Sequence, residues 1–204
     1  MSEDNSHVFI NCPFDEAYSS FLRPLLFTII VAGYEPRIAS ERSDAAEPRI
    51  TKLCELISES NFGIHDMSRR QTESSGGRHR LNMAFELGLT YGYRVFSHDS
   101  SMKFLLLVES DPYSFKRALS DFSGMDIQSH NNEPSALVLQ VRNWFYETVG
   151  VHEIPPGTRI WYDFNDFMAD FYETQLRIGA EGEDLQMMPV PELIKSMKDW
   201  LEND

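Results

Sequence analysis

The sequence predicts an α/β fold: a doubly wound parallel sheet in strand order 2-1-3-4-5, followed by a C-terminal helical extension. Short apolar runs alternate with amphipathic helical segments roughly every thirty residues, the rhythm of right-handed βαβ crossovers. One of these runs, Lys103-Phe104-Leu105-Leu106-Leu107-Val108, is continuously apolar. That is the pattern of a parallel strand covered on both faces. Together they describe a flavodoxin-like layering, in which ligands bind beyond the carboxyl ends of the strands at the switch between strands 1 and 3.

The elements follow in order. Val8 to Cys12 is an apolar strand broken by Pro13-Phe14-Asp15, and Tyr18 to Ala32 reads as a helix stopped by Gly33. Pro24 within it predicts a kink or a late start. Glu35 to Ser40 is a weaker strand, and Pro48 opens a helix with Ile50, Leu53, Cys54 and Ile57 on its apolar stripe. Asn61 to Asp66 is the third strand. In the next helix Leu81, Phe85, Leu89 and Gly92 share one side and Asn82 and Glu86 another, beside a surface expected to be core. After the fourth strand, the stretch around Ser123 to Ile127 holds a short edge strand, and Ala136 to Val149 is an amphipathic helix.

Pro155-Pro156-Gly157 separates a domain of residues 1–150 from an extension over 151–204. Ile160 to Ile178 is one long helix or two shorter ones, Gly179 to Met188 an acidic loop, and Pro191 to Leu201 a terminal helix. Trp161, Phe164, Phe167 and Phe171 fall on one helical stripe that must cover the sheet domain or pair with another copy, so a homo-oligomer is expected.

At 204 residues, with 42% hydrophobic and 25% charged residues, the chain is of ordinary domain size with a packable core. The net charge is −14. Twelve acidic against four basic residues place −8 of it beyond residue 150 and leave −6 on the rest. Such a surface repels phosphate backbones, so direct nucleic-acid binding is disfavoured. No apolar run is long enough to span a membrane, and the first residues are acidic rather than a basic signal sequence, so a cytoplasmic protein is expected. Cys12 and Cys54 have no metal-ligand spacing, and no resident metal or cofactor is expected.

The switch-point rule selects three places. The first loop, Asn11 to Asp15, lacks the P-loop and G-x-G-x-x-G patterns and offers Asn11, Phe14 and Asp15 to a base and sugar. The loop after Asp66 and Ser68 carries Arg69, Arg70, Arg78, His79 and Arg80 around Ser74-Ser75-Gly76-Gly77, a local positive excess that reads equally as a phosphate site and as an ordinary solvated loop. The helix beginning after it carries Asn82 and Glu86. Asp126 and His130, near the fifth strand, are further candidates for substrate binding or for ordinary turn residues. Cys12 has no evident paired base in the sequence and is not proposed as a nucleophile.

Phe9-Ile10-Asn11-Cys12-Pro13-Phe14, the strand end Ile64-His65-Asp66 and Asn82-Met83-Ala84-Phe85-Glu86-Leu87-Gly88 together resemble the nucleoside 2-deoxyribosyltransferase-like and TIR-like superfamily, over roughly residues 8–149. The resemblance implies that Glu86 is a catalytic carboxylate acting at the anomeric carbon of an N-glycosidic bond, and that Asp66 binds sugar. It also makes NAD cleavage, as in bacterial antiphage effectors of this fold, an expected activity, with NAD as substrate rather than cofactor. The first loop differs from the usual transferase pattern, so NAD, a nucleoside and a nucleotide all stay open. Cleaving an N-glycosidic bond builds an oxocarbenium-like sugar that a carboxylate about 3 Å away stabilises or traps. Nicotinamide leaves NAD neutral without a general acid, whereas a neutral nucleoside base needs a proton, from a protonated Asp66 or from solvent. Asn82, one turn before Glu86, is placed to orient it or to bind a sugar hydroxyl. The alternatives are a non-catalytic nucleotide-sensing or assembly module of the same fold and, with less support from the first loop, a flavin or phosphoacceptor domain.

Overall fold

The computed structural model describes residues 6–42, 44–68, 81–98, 101–112 and 119–203. Five parallel strands form one sheet in the order β2-β1-β3-β4-β5. They are β1 (His7–Asn11), β2 (Glu35–Ile38), β3 (Phe62–Asp66), β4 (Phe104–Glu109) and β5 (Gln128–Ser129). The predicted strand order is therefore the observed one. The edge strand β5 lies just beyond the stretch expected for it.

Side chains alternate across the strands and divide the core in two. Val8, Ile10, Ile64, Leu106 and Val108 face α1 (Ser19–Val31) and α4 (Pro134–Trp144), whereas Phe9 faces α2 (Arg49–Ser58) and α3 (Leu81–Phe96). Helix α1 runs through Pro24, and Gly33 beyond its end adopts φ +82°, a conformation that favours glycine. Pro48 precedes α2 as expected, but α2 buries Lys52, Leu53, Leu56 and Ile57 and leaves Ile50 and Cys54 exposed. Helix α4 ends in a π-helical turn, Phe145–Val149.

The extension is α5 (Gly157–Arg177), α6 (Gly182–Gln186) and α7 (Val190–Leu201). Ile160 to Ile178 is thus a single long helix, and the acidic loop contains a short one. Phe164, Phe167 and Phe171 are buried in the same core cluster as the inner face of α1, with Phe27 5.7 Å from both Phe164 and Phe167. Of the two roles open to the aromatic stripe, it covers the chain's own core. Beyond residue 156 no new core begins: α5 and α7 complete the layer started by α1 and α4. No helix among the described residues is long and apolar enough to cross a membrane.

Candidate active site

Parallel register brings Asn11 opposite His65, Asp66 opposite Val108 and Glu109 opposite Ser129, so polar residues end four strands at one edge of the sheet. The edge has two sides because alternate residues point to opposite faces.

On the α3 side, Asn11 is fully buried. Its Nδ2 donates to the Met83 carbonyl at 2.8 Å and contacts His65 Nδ1 at 3.0 Å. One amide thereby ties β1 to β3 and to the turn of α3 that precedes Glu86. With Nδ1 accepting from Asn11, the neutral His65 ring carries its proton on Nε2, which is buried without a partner among the described residues. Burial lowers the His65 pKa to about 3. His65 is therefore a neutral structural imidazole at physiological pH.

Glu86 lies in the second turn of the described helix and is only 2% exposed. Its Oε1 accepts from an Arg49 guanidinium N–H at 2.9 Å. Arg49 opens α2 and its side chain is 52% exposed. The two ends of the ion pair thus sit in different media, one in the protein and one half in water. Burial raises the Glu86 carboxyl above its ordinary range, and the hydrogen bond and charge of Arg49 oppose that rise.

On the α1 side, Asp66 Oδ1 accepts from the Ser68 backbone N–H at 2.9 Å. Its Oδ2 accepts from the Tyr18 hydroxyl at 2.5 Å and lies 3.2 Å from His130 Nε2. Ser68 Oγ approaches that same nitrogen at 2.9 Å. Ser68, His130 and Asp66 include the residue types of a hydrolytic triad, but such a relay needs acid and nucleophile on opposite ring nitrogens. Here both meet Nε2, and Nδ1 is buried without a partner among the described residues. The cluster is an acceptor held by fixed donors, not an acyl-transfer centre.

Cys12 belongs to the core cluster on the α1 side. Burial chiefly, and the charges of Asp66, Glu86 and Asp15 in turn, push its thiol well above the ordinary value. The thiol form is therefore favoured over the thiolate.

The expected residues are thus distributed unevenly. Asn11, Asp66, Ser68, Glu86 and His130 are buried at the strand ends. Phe14 is half-exposed after β1, and Asp15 caps the following turn by accepting from the Tyr18 N–H at 2.9 Å. Asn82 is exposed one turn before Glu86, which is held by Arg49 instead. Asp126 is exposed ahead of β5. Arg80, with Arg69, Arg70, Arg78 and His79, lies outside the described residues. Among the described residues, no group of three or more His, Cys, Asp or Glu is arranged to hold a metal ion.

The surface beside Glu86 is core, as expected: α3 buries Met83, Glu86, Leu87 and Thr90 and leaves Leu81 and Phe85, on its other side, exposed. Both arcs of the helix are apolar, so periodicity alone could not tell which one faces the sheet.

Four further residues belong to the site. Arg49 was legible only as a charge after a helix-opening proline, and Tyr18 only as an aromatic at a helix start. His65 stands in the strand-end sequence Ile64-His65-Asp66, which by itself gives it no role. Glu109, buried two residues beyond Leu107 on the same face of β4, had the clearest signal: an acid ending an apolar parallel strand. Neither protein-family models nor curated proteins give a match to this chain.

Proposed function

We propose that the protein cleaves or transfers at the N-glycosidic bond of NAD or a related nucleoside or nucleotide, with Glu86 as the catalytic carboxylate. The observation that carries this reading is a carboxylate buried at the ligand-binding edge of a parallel sheet and paired with a half-exposed arginine. A negative charge in a water-poor crevice stabilises a developing oxocarbenium ion far better than one in bulk water. Arg49 favours the ionised form of Glu86 that this role requires. The exposed part of its guanidinium is suited to a substrate phosphate, which favours a nucleotide over a phosphate-free nucleoside.

The surroundings of Asp66 favour a substrate that needs no general acid. Its oxygens accept from Tyr18 and from the Ser68 N–H, with His130 alongside, so it is placed as an orienting acceptor rather than as an acid aimed at a leaving base. NAD, whose nicotinamide departs neutral, fits that arrangement. Asn82, exposed one turn before Glu86, is placed for a sugar hydroxyl at the crevice rim. A place among defence effectors rests on the sequence resemblance alone.

The test is incubation of purified protein with NAD and a panel of nucleosides and nucleotides, read by mass spectrometry, beside Glu86→Gln. The substitution keeps size and hydrogen bonding but removes the charge, and turnover should fall about a hundredfold or more, as for loss of one preorganised electrostatic partner. A folded Glu86→Gln protein with full turnover removes Glu86 from the role. Binding without turnover in the wild type would support the sensing module instead, a reading favoured by the way Arg49 covers the carboxylate.

A further inference from the structure

The outward arc of α3 is covered at one border, where Tyr91 packs on Phe122 and Ala84 on the neighbouring core cluster, and most of the rest of it is exposed. Leu81 is 72% exposed, Phe85 54%, Val95 52% and Phe96 81%. At 100° per residue they share one arc with Ala84, Gly88, Tyr91 and Gly92, and no residue on that arc is charged. On a chain of net charge −14 with 25% charged residues, an uncharged helical arc four turns long is unexpected for a surface meeting only water.

We propose that this arc pairs antiparallel with the same arc of a second copy of the chain, about a two-fold axis crossing α3 near Thr90. The pattern is complementary to itself. Reversal about that point sets Phe85 against the second copy's Val95 and Ala84 against its Phe96, while Gly88 meets Gly92 at the centre. An isologous contact requires this reciprocity. A Cβ added at Gly88 would meet nothing within 4 Å, and one at Gly92 only the Phe96 ring at 4.0 Å. Packing within the chain therefore does not account for these two glycines, and their bare backbone lets a second helix approach closely. The exposed parts of Leu81, Phe85, Tyr91, Val95 and Phe96 amount to roughly 600 Å² per copy, near the ~800 Å² per partner of a standard interface. An uncharged arc is also where two strongly acidic copies approach with the least repulsion. This inference stands apart from the glycosidic reading, since it uses the side of α3 opposite Glu86.

The test is sedimentation velocity and light scattering on the full chain and on Phe85→Asp/Phe96→Asp. Wild type should be a dimer at micromolar concentration. The double variant should be monomeric, with dimer dissociation at least about a hundredfold weaker, because each charge would be buried unpaired. Both altered side chains are exposed, so far-UV circular dichroism should be unchanged. A second variant reads the register: Phe85→Cys/Val95→Cys in a Cys54→Ser background should oxidise to a covalent dimer. A monomeric wild type at 100 μM protein overturns the proposal, as does a folded Phe85→Asp/Phe96→Asp protein that remains dimeric or an absent Phe85→Cys/Val95→Cys cross-link. Wild type that is monomeric and floats with phosphatidylglycerol–phosphatidylcholine vesicles would assign the face to a lipid surface and overturn it equally.

Discussion

Replacing His65 with glutamine should flatten the acid side of the stability profile. The ring is buried and its pKa lies at about 3 in the folded chain, against an ordinary 6.5. Between those values the unfolded chain binds one proton that the folded chain does not, so stability rises with pH across the window and falls as pH drops through it. The contribution is complete above 6.5 and shrinks by about 1.4 kcal/mol per pH unit below it. Integrated from pH 7.5 to pH 5, the loss is about 2 kcal/mol for the native chain and nothing for a residue that does not titrate. Glutamine retains an acceptor for the Asn11 amide, so the Asn11–Met83 clamp should survive. Urea denaturation of both proteins at the two pH values isolates this residue, because every other titrating group is common to both. A difference of differences near 2 kcal/mol is expected. Equal pH dependence in the two proteins would mean that His65 is protonated in the native state or open to water, and the tautomer assigned above would be wrong.

Two other substitutions test the site and the extension. Arg49→Met removes the cation that opposes burial at Glu86, so the carboxyl should be harder to ionise, and the acid limb of the pH–rate profile should move to higher pH. An unmoved limb would detach Arg49 from Glu86. Phe167→Ala opens a hole against Phe27, Phe171 and Trp200 and should lower unfolding stability by about 3–5 kcal/mol, measured by urea denaturation. A loss under about 1 kcal/mol would mean that the stripe is not part of the core.

Strand order was legible because it follows from repetition: each apolar run needs a crossover, and right-handed crossovers leave few arrangements. Glu86 was legible for a related reason, since a carboxylate inside an otherwise apolar helix signals either a cleft or a partner. Its partner was not. Arg49 is 37 residues earlier on another helix, and no local period links the two. The Asp66 cluster shows the same limit. Ser68 lies beside Asp66 in sequence, but Tyr18 and His130 reach it across separations of 48 and 64 positions (66 − 18 and 130 − 66), fixed by the strand register rather than by any motif. The facing of α3 has a different origin. A helix apolar on two arcs gives periodicity no single answer, and packing of Met83 and Leu87 against Met67 and Leu107 decides it.

The two carboxylates at the strand ends differ in what holds them, and that difference bears on mechanism. Asp66 is fixed by a buried tyrosine, a backbone N–H and a buried histidine neighbour. Glu86 is held by a side chain half in water. Repositioning Asp66 would leave a buried donor unpaired, whereas Arg49 can turn toward solvent or toward an incoming phosphate at small cost. The fixed carboxylate is therefore suited to shaping the crevice, and the releasable one to meeting a charge that appears during reaction. If Arg49 turns to a substrate phosphate, it withdraws its charge from Glu86 just as the sugar begins to ionise. The attraction between Glu86 and the oxocarbenium ion then grows where it lowers the barrier. On this reasoning a phosphate-bearing substrate gains in kcat as well as in affinity. A phosphate-free analogue should lose both, and for Arg49→Met the two substrates should converge.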